Sequence, residues 1–193
     1  SWGETVSSGD VVINPTDGLV YKKFTTEPFT GSVTPTSNNP SKGSYKKGKK
    51  HGFWETFSYN GLLETKGRYK NNKKEGPWEL FKNNGKLLEK GIYADDKKEG
   101  LWEIFNSKGQ LLEKGTWKDN KKNGVWEYFN KNGQLLEKLN WKGGKRDGLF
   151  EQFFFNGQLN VKGTWKNHKK YGVWKHFDKN GKLLKEVTWK EGK

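Results

Sequence analysis

The sequence has no cysteine and no methionine in 193 residues. Without thiols there is no disulfide, no zinc–thiolate or iron–sulfur site and no thiol nucleophile, so packing and pairing alone must hold the chain together. The missing Met, an initiator included, fits a chain that starts after a removed segment. Export after signal-peptide cleavage is therefore expected, with a cytoplasmic location as the other reading. Apolar runs are short, and none approaches the roughly 18 residues of a transmembrane helix. Only 30% of residues are hydrophobic and the net charge is +15, a balance that by itself leans towards disorder.

The aromatic content argues for order. With 10 Trp, 7 Tyr and 12 Phe, each ring able to cover roughly 150 to 250 Å², rings can supply the burial that aliphatic residues do not. Charge is unevenly placed. Residues 1–42 hold Pro15, Pro28, Pro35 and Pro40 and a net charge of −1, so the remainder carries +16. We read 1–42 as an N-terminal cap or degenerate first repeat with a flexible start, and 43–193 as six repeats plus a partial seventh.

From Gly43 the sequence realigns with itself every 24 residues, with repeats opening at Gly43, Gly67, Gly91, Gly115, Leu139 and Gly163 and a partial one at Val187. A period of this length marks a repeat architecture. One aromatic column is Trp54, Trp78, Trp102, Trp126, Phe150 and Trp174; another is Tyr45, Tyr69, Tyr93, Trp117, Trp141, Trp165 and Trp189; a third runs Phe57 to Phe177. Asn-Gly recurs at Asn60-Gly61, Asn84-Gly85, Asn132-Gly133, Asn156-Gly157 and Asn180-Gly181. Between β-compatible runs it predicts a two-residue hairpin turn, since both residues tolerate positive φ. Each repeat therefore reads as two strands.

That turn pairs Glu79 with Lys90, and likewise Glu55 with Lys66, Glu103 with Lys114, Glu127 with Lys138 and Glu151 with Lys162. In the last repeat both signs reverse together, Lys175 facing Glu186. Opposite charges across strands help by roughly 0.2 to 1 kcal/mol, so the joint reversal supports this register. A three-residue bulged turn would instead oppose Glu79 to Glu89. The same register sets each Trp opposite the glycine opening the next repeat, Trp54 to Gly67 and Trp78 to Gly91, a ring laid over strand backbone. The fold class expected is all-β: an elongated array of antiparallel β-hairpin repeats in a largely single-layer twisted sheet, with rings on both surfaces. A lone hairpin is marginal in water, so each repeat depends on its neighbours. Phe150, Leu139 and Val187 depart from the pattern, and the fifth repeat is expected to pack differently.

The repeat G-x-[YW]-K-x-x-K-K-x-G-x-W-E-x-F-x-x-N-G-x-L-L-E-K, over residues 43–193, resembles the bacterial variant of the MORN repeat; residues 18–33, GLVYKKFTTEPFTGSV, resemble its degenerate first copy. Such arrays often carry the label "YwqK-type antitoxin". The resemblance implies consecutive β-hairpins and a toxin-neutralising binding role in an exported bacterial protein.

Catalysis requires singular residues that converge, whereas these columns recur. His51, His168 and His176 occupy unrelated positions and form no set; the glutamates face lysines across strands; the glycines match no phosphate loop. No catalytic residue, cofactor or metal is expected, and the chain is read as a non-enzyme. The candidate site is the ladder of basic pairs: Lys49-Lys50, Lys73-Lys74, Lys97-Lys98, Lys121-Lys122, Lys145-Arg146 and Lys169-Lys170. Read as loop residues, they recur at two strands per repeat, roughly 10 Å, which is comparable with the ~10 Å Debye length at 0.1 M salt. Their alternative role is to keep a ring-rich sheet soluble. As structural aromatics we take Trp54, Trp78, Trp102, Trp126, Phe150 and Trp174 with Tyr69, Tyr93, Trp117, Trp141 and Trp165. The expected function is protein–protein scaffolding by a monomer, an acidic toxin being one partner. Anionic glycans or phospholipid headgroups are the alternative ligands, and nucleic acid is disfavoured.

Overall fold

The computed structural model describes residues 3–190; the first two residues of the region expected to start flexibly and the end of the partial seventh repeat lie outside them. Two compact halves divide after Lys97. In the N-terminal half the strands are β1 (Thr5–Ser7), β2 (Val11–Ile13), β3 (Val20–Lys22), β4 (Gly31–Thr34), β5 (Ser41–Lys46), β6 (Lys49–Lys50), β7 (Gly52–Phe57), β8 (Leu63–Lys70), β9 (Lys73–Phe81) and β10 (Leu87–Ala94). Its sheet runs β1-β4-β5-β7-β8-β9-β10, with β6 against β5 and a separate β2-β3 pair. All neighbours are antiparallel except β1, which lies parallel to β4. The C-terminal half holds β11 (Lys97–Phe105), β12 (Leu111–Lys118), β13 (Lys121–Phe129), β14 (Leu135–Lys142), β15 (Lys145–Phe153), β16 (Leu159–Lys166), β17 (Lys169–Phe177) and β18 (Leu183–Trp189), each pairing antiparallel with the next. Among the described residues the single helical element is a 3-10 turn at Ser8–Asp10. This is the all-β hairpin array that the period predicts.

The charge register holds at every repeat: Glu55 faces Lys66, Glu79 faces Lys90, Glu127 faces Lys138, Glu151 faces Lys162, and the reversed Lys175 faces Glu186. The turn that produces it differs from the expected one. At Asn84-Gly85 the loop has three residues, because Lys82 N–H and Lys86 C=O pair at 2.8 Å and Gly85 N–H donates back to Lys82 C=O at 2.8 Å. Of the two turn residues only Gly85 takes positive φ, +77°. The register shift this loop introduces is cancelled by a bulge at Leu88, between the pairs Leu87–Phe81 and Glu89–Leu80. Loop and bulge together restore the Glu79–Lys90 pairing that a two-residue turn would give.

The two-residue turns lie at the other end of the hairpins, at Asn71-Asn72, Asp95-Asp96, Asp119-Asn120, Gly143-Gly144 and Asn167-His168, where both residues have positive φ. Asn, Asp and Gly tolerate that conformation best. Each such turn docks on the preceding repeat. Asn120 N–H donates to Lys98 C=O at 3.2 Å, while Lys98 N–H donates to Asn120 Oδ1 at 2.6 Å. Asn72 with Lys50, Asp96 with Lys74 and His168 with Arg146 form the same two-bond clasp. Gly144 keeps only the backbone half, to Lys122.

The invariant glycine column is the bend in the strand. Gly76, at φ +74°, sits with Pro77 between the residues that face Arg68 and Gly67, so two residues of β9 lack partners on β8. Positive φ favours glycine, and a proline with no N–H is tolerated at a bulge. The indole of Trp78 closes the gap, its N–H donating to the Arg68 carbonyl at 3.1 Å. Trp54, Trp126 and Trp174 do the same to Ser44, Thr116 and Thr164.

These rings explain the opening glycines, with one correction. Each Trp pairs in register with the next glycine, as expected, but its ring lies over the preceding one. A Cβ at Gly67 would stand 2.2 Å from Trp78, at Gly115 2.3 Å from Trp126 and at Gly163 2.2 Å from Trp174. The departures in the fifth repeat now form one coupled change. Leu139 fills the place of the glycine, and the residue that faces it is Phe150, a smaller ring. Both are buried and share a cluster with Val161 and Trp174. At the N-terminus Val33 opposes Gly43 as Trp54 opposes Gly67, and Gly31 opposes Tyr45 as Gly52 opposes Tyr69. Residues 31–45 thus reproduce the repeat's pairing with an aliphatic in the Trp column.

Candidate functional site

The basic pairs are not in loops, as expected from sequence. They are the first two residues of a strand, directly after each two-residue turn. Successive strand residues point to opposite faces, so the two members of a pair part company. The second member joins the tryptophans. Lys74 Nζ stands 4.7 Å from the Trp78 ring and 4.8 Å from Tyr93; Lys98 is 3.9 Å from Trp102; Lys122 is 3.8 Å from Trp126 and 5.4 Å from Trp141. Lys50 and Lys170 sit likewise over Trp54 and Trp174, and Arg146 over Trp165 at 5.1 Å. A cation over a ring face is attracted by its quadrupole, by about 0.5 to 2 kcal/mol depending on desolvation.

This ring face carries the core. Trp54, Trp78, Trp102, Trp126 and Trp174 are almost fully buried, and Tyr and Trp of the second column stand edge-on to them, as Tyr69 does to Trp78 at 5.1 Å and Trp165 to Trp174 at 5.4 Å. Burial, with Lys74 adding to it, pushes the Lys50 ammonium below its ordinary value; burial raises Tyr45, Tyr69 and Tyr93. Lys122 also reaches Glu113 at 3.3 Å and the Tyr128 hydroxyl at 3.1 Å. Lys50, Lys74, Lys98, Lys122, Arg146 and Lys170 thus lie against the rings of the Trp and Tyr columns.

The first members, Lys49, Lys73, Lys97, Lys121, Lys145 and Lys169, are exposed on the opposite face. There each meets another residue across the turn, and in most repeats that residue is a second lysine: Lys46 opposite Lys49, Lys70 opposite Lys73, Lys118 opposite Lys121, Lys142 opposite Lys145, Lys166 opposite Lys169. Sequence reading missed these partners, although their spacing of three around an Asn/Asp/Gly pair was visible. In the N-terminal half Lys73 is answered by Asp95 at 2.7 Å. Beyond Asp95 the residues in its place are Asp119 for Lys97, Gly143 for Lys121, Asn167 for Lys145 and Glu191 for Lys169, so the carboxylate is replaced at Lys121 and Lys145. In both halves a further carboxylate on the strand serves the turn backbone: Glu75 accepts Asp95 N–H at 3.0 Å, Glu99 accepts Asp119 N–H at 3.0 Å and Asp147 accepts Asn167 N–H at 3.2 Å. The halves also differ in total, with 16 Lys and Arg against 11 acids up to Lys97 and 21 against 11 beyond it.

Further from the turns, the outer face is neutralised. Glu127 lies between Lys114 at 3.0 Å and Lys138 at 3.2 Å, and these lysines, Lys114 first, hold its carboxyl below the ordinary range. Lys66 bridges Glu79 at 2.7 Å and Lys162 bridges Glu151 at 3.3 Å. The histidines stay apart: His168 closes a turn, His51 interrupts the strand between β6 and β7, and His176 lies in β17. Among the described residues no group of three or more His, Asp or Glu could hold a metal ion.

Comparison with known proteins agrees with this geometry. The profile of the MORN repeat variant matches residues 74–95, 98–119, 122–142, 146–167 and 170–191. The chain belongs to the MORN repeat variant family. This is a non-catalytic type of repeat, generally used for binding and scaffolding. No curated protein matches the chain. Solved structures that resemble it include TarM, at 18% identity and TM-score 0.33 over 47% of this chain and 18% of that one. A variant of S. aureus TarM in complex with Fondaparinux, alpha-GlcNAc-glycerol and UDP resembles it at 14% identity and TM-score 0.28, over 74% of this chain. The chain spans about a fifth of the length of these structures.

Proposed function

We propose that this MORN-variant array is a non-enzymatic scaffold that holds an acidic protein partner on the lysine row beside the turns of its C-terminal half. The observation that carries the reading is the set of directly opposed pairs Lys118–Lys121, Lys142–Lys145 and Lys166–Lys169. Like charges opposite one another weaken a strand pair, and hairpin formation is no better for them. A partner's carboxylates reverse the sign of that interaction on binding and raise the rate of encounter. The resemblance to arrays labelled antitoxins makes an acidic toxin one such partner, neutralised by coverage of its surface.

The test is capture from the source cells with the intact chain and with a Lys118→Glu, Lys121→Glu, Lys142→Glu, Lys145→Glu variant. An acidic protein retained by the first, released by moderate salt and absent from the second is the expected result. Equal retention by both overturns it. So does salt-sensitive binding to anionic glycans or anionic vesicles with no protein retained, which would establish the surface-ligand alternative.

A further inference from the structure

Beside the lysine row the outer face of the C-terminal half carries a second row, of apolar side chains. Leu101, Val125, Leu149 and Val173 each follow a bend glycine and are 52%, 50%, 41% and 46% exposed. An apolar residue alone on a surface needs no explanation; one at the same place in four successive repeats does, because the rows run parallel at one hairpin per step. Across the strand from these residues stand only short polar groups, Thr116, Asn140, Thr164 and Thr188. Nothing bulky separates the apolar row from Lys118 and Lys142, two residues further along the same strands; at Lys166 the ring of Tyr171 intervenes, paired with Thr164 and 5.0 Å from the Lys166 Nζ.

We infer that these two rows receive an acidic amphipathic helix of the partner, laid across the strands with carboxylates on the lysines and apolar side chains on Val125 and its equivalents. The inference rests on the acidic-partner reading and deepens it. Three physical points choose a helix. The inner strands, β12 to β17, are bonded to neighbours on both sides, so an extended segment crossing them would find no open backbone partners, whereas a helix satisfies its own. Two strands advance about 9.6 Å and seven helical residues about 10.5 Å, so one heptad meets one hairpin, and the flexible lysines absorb a mismatch near 1 Å per step. A helix about 10 Å wide also covers both rows at once. Sheet twist of about 20° per strand limits a straight helix to roughly three hairpins, hence about 21 residues. In the N-terminal half Asp95 already occupies Lys73, and Pro77 stands in the apolar row.

The probe is a synthetic 21-residue helix with Glu and Leu each repeated at heptad spacing, compared with a scrambled peptide of identical composition and with polyglutamate. Binding to the full chain is followed by fluorescence anisotropy, and peptide helicity by circular dichroism. The helix is expected to bind at least tenfold more tightly than either control and to gain helicity. Lys142→Glu with Lys145→Glu, and separately Val125→Asp with Leu149→Asp, should each weaken it at least tenfold while the thermal midpoint confirms that the variants fold. Equal binding of scrambled peptide, or an unaffected Val125→Asp, Leu149→Asp variant, overturns the helix and leaves the acidic-partner scaffold standing. Binding of none of the three peptides, with anionic vesicles or heparin retained, overturns both.

Discussion

The two faces of the C-terminal half are built from the same strands and both carry cations, yet treat them oppositely. On one face Lys98, Lys122, Arg146 and Lys170 are seated among tryptophans. On the other, Lys121, Lys145 and Lys169 are exposed and confronted by further lysines. Neighbouring residues in one dipeptide thus have unrelated jobs. Charge density marks no site by itself; a cation's surroundings decide whether it packs into the fold or stands exposed.

The largest effect is expected from breaking the ring face at its glycines. Gly163→Leu drives a side chain into Trp174, where a Cβ alone would come to 2.2 Å, and should cost about 3 kcal/mol in thermal or denaturant unfolding. Adding Trp174→Phe should recover part of that loss in a double-mutant cycle, since Leu139 with Phe150 is the same combination. Additive losses would show that the coupling between these positions is illusory. Thr116→Leu on the outer face should change stability little by comparison.

Next in size is the contrast within one pair. Lys122→Ala removes a cation 3.8 Å from Trp126 and should cost about 1 kcal/mol. Lys121→Ala relieves its opposition to Lys118 and should be neutral or stabilising by a few tenths of a kcal/mol. Equal costs would erase the distinction between the faces. Smaller still, Gly144→Asn supplies the missing half of the clasp to Lys122 N–H; its Cβ would meet the Lys121 side chain at an ordinary 3.6 Å, and asparagine accepts positive φ. A gain of about 0.5 kcal/mol is expected, read as a rise in midpoint.

The mildest test is titration. Glu127, on the outer face, has its carboxyl lowered by Lys114 and Lys138, so its contribution is present above its unfolded value of about 4.3 and is lost as pH falls through the folded one. Glu137, on the ring face opposite Tyr128, is raised by burial against the pull of Arg146. Its contribution is present below about pH 4.3 and lost as pH rises through its folded value. Glu127→Gln should therefore flatten the acid limb of a stability-versus-pH curve, and Glu137→Gln should stabilise near neutral pH with the gain vanishing in acid. The same slope change from both would contradict the assignment of these glutamates to different environments.

The period and the strand register were legible because each is written six times and because Lys175 and Glu186 reverse together; the Trp–glycine pairing was legible too, but register alone does not say over which of its two glycine neighbours the ring lies. The turns were not. A three-residue loop at Asn84-Gly85 followed by a bulge at Leu88 yields the same Glu79–Lys90 pair as a two-residue turn, so register cannot distinguish them. The true two-residue turns were spelled Asn-Asn, Asp-Asp and Gly-Gly, residues as fit for positive φ as Asn-Gly. Strand parity offered the remaining clue: Lys74 and Trp78 differ by an even number and so share a face, which separates Lys74 from Lys73. Only the lysines brought opposite by the misjudged turns, Lys118, Lys142 and Lys166, lay beyond that reasoning.

Leu139 has a consequence for assembly of the chain. Near-identical hairpins invite exchange, each able to close on the wrong neighbour or on a second molecule. A hairpin carrying Trp in the covering position cannot close over Leu139, for it would need the space that the leucine fills. Of the six covering residues only Phe150 is not Trp. One joint in an otherwise interchangeable series is therefore keyed, and a strand placed one repeat out of step would be rejected there.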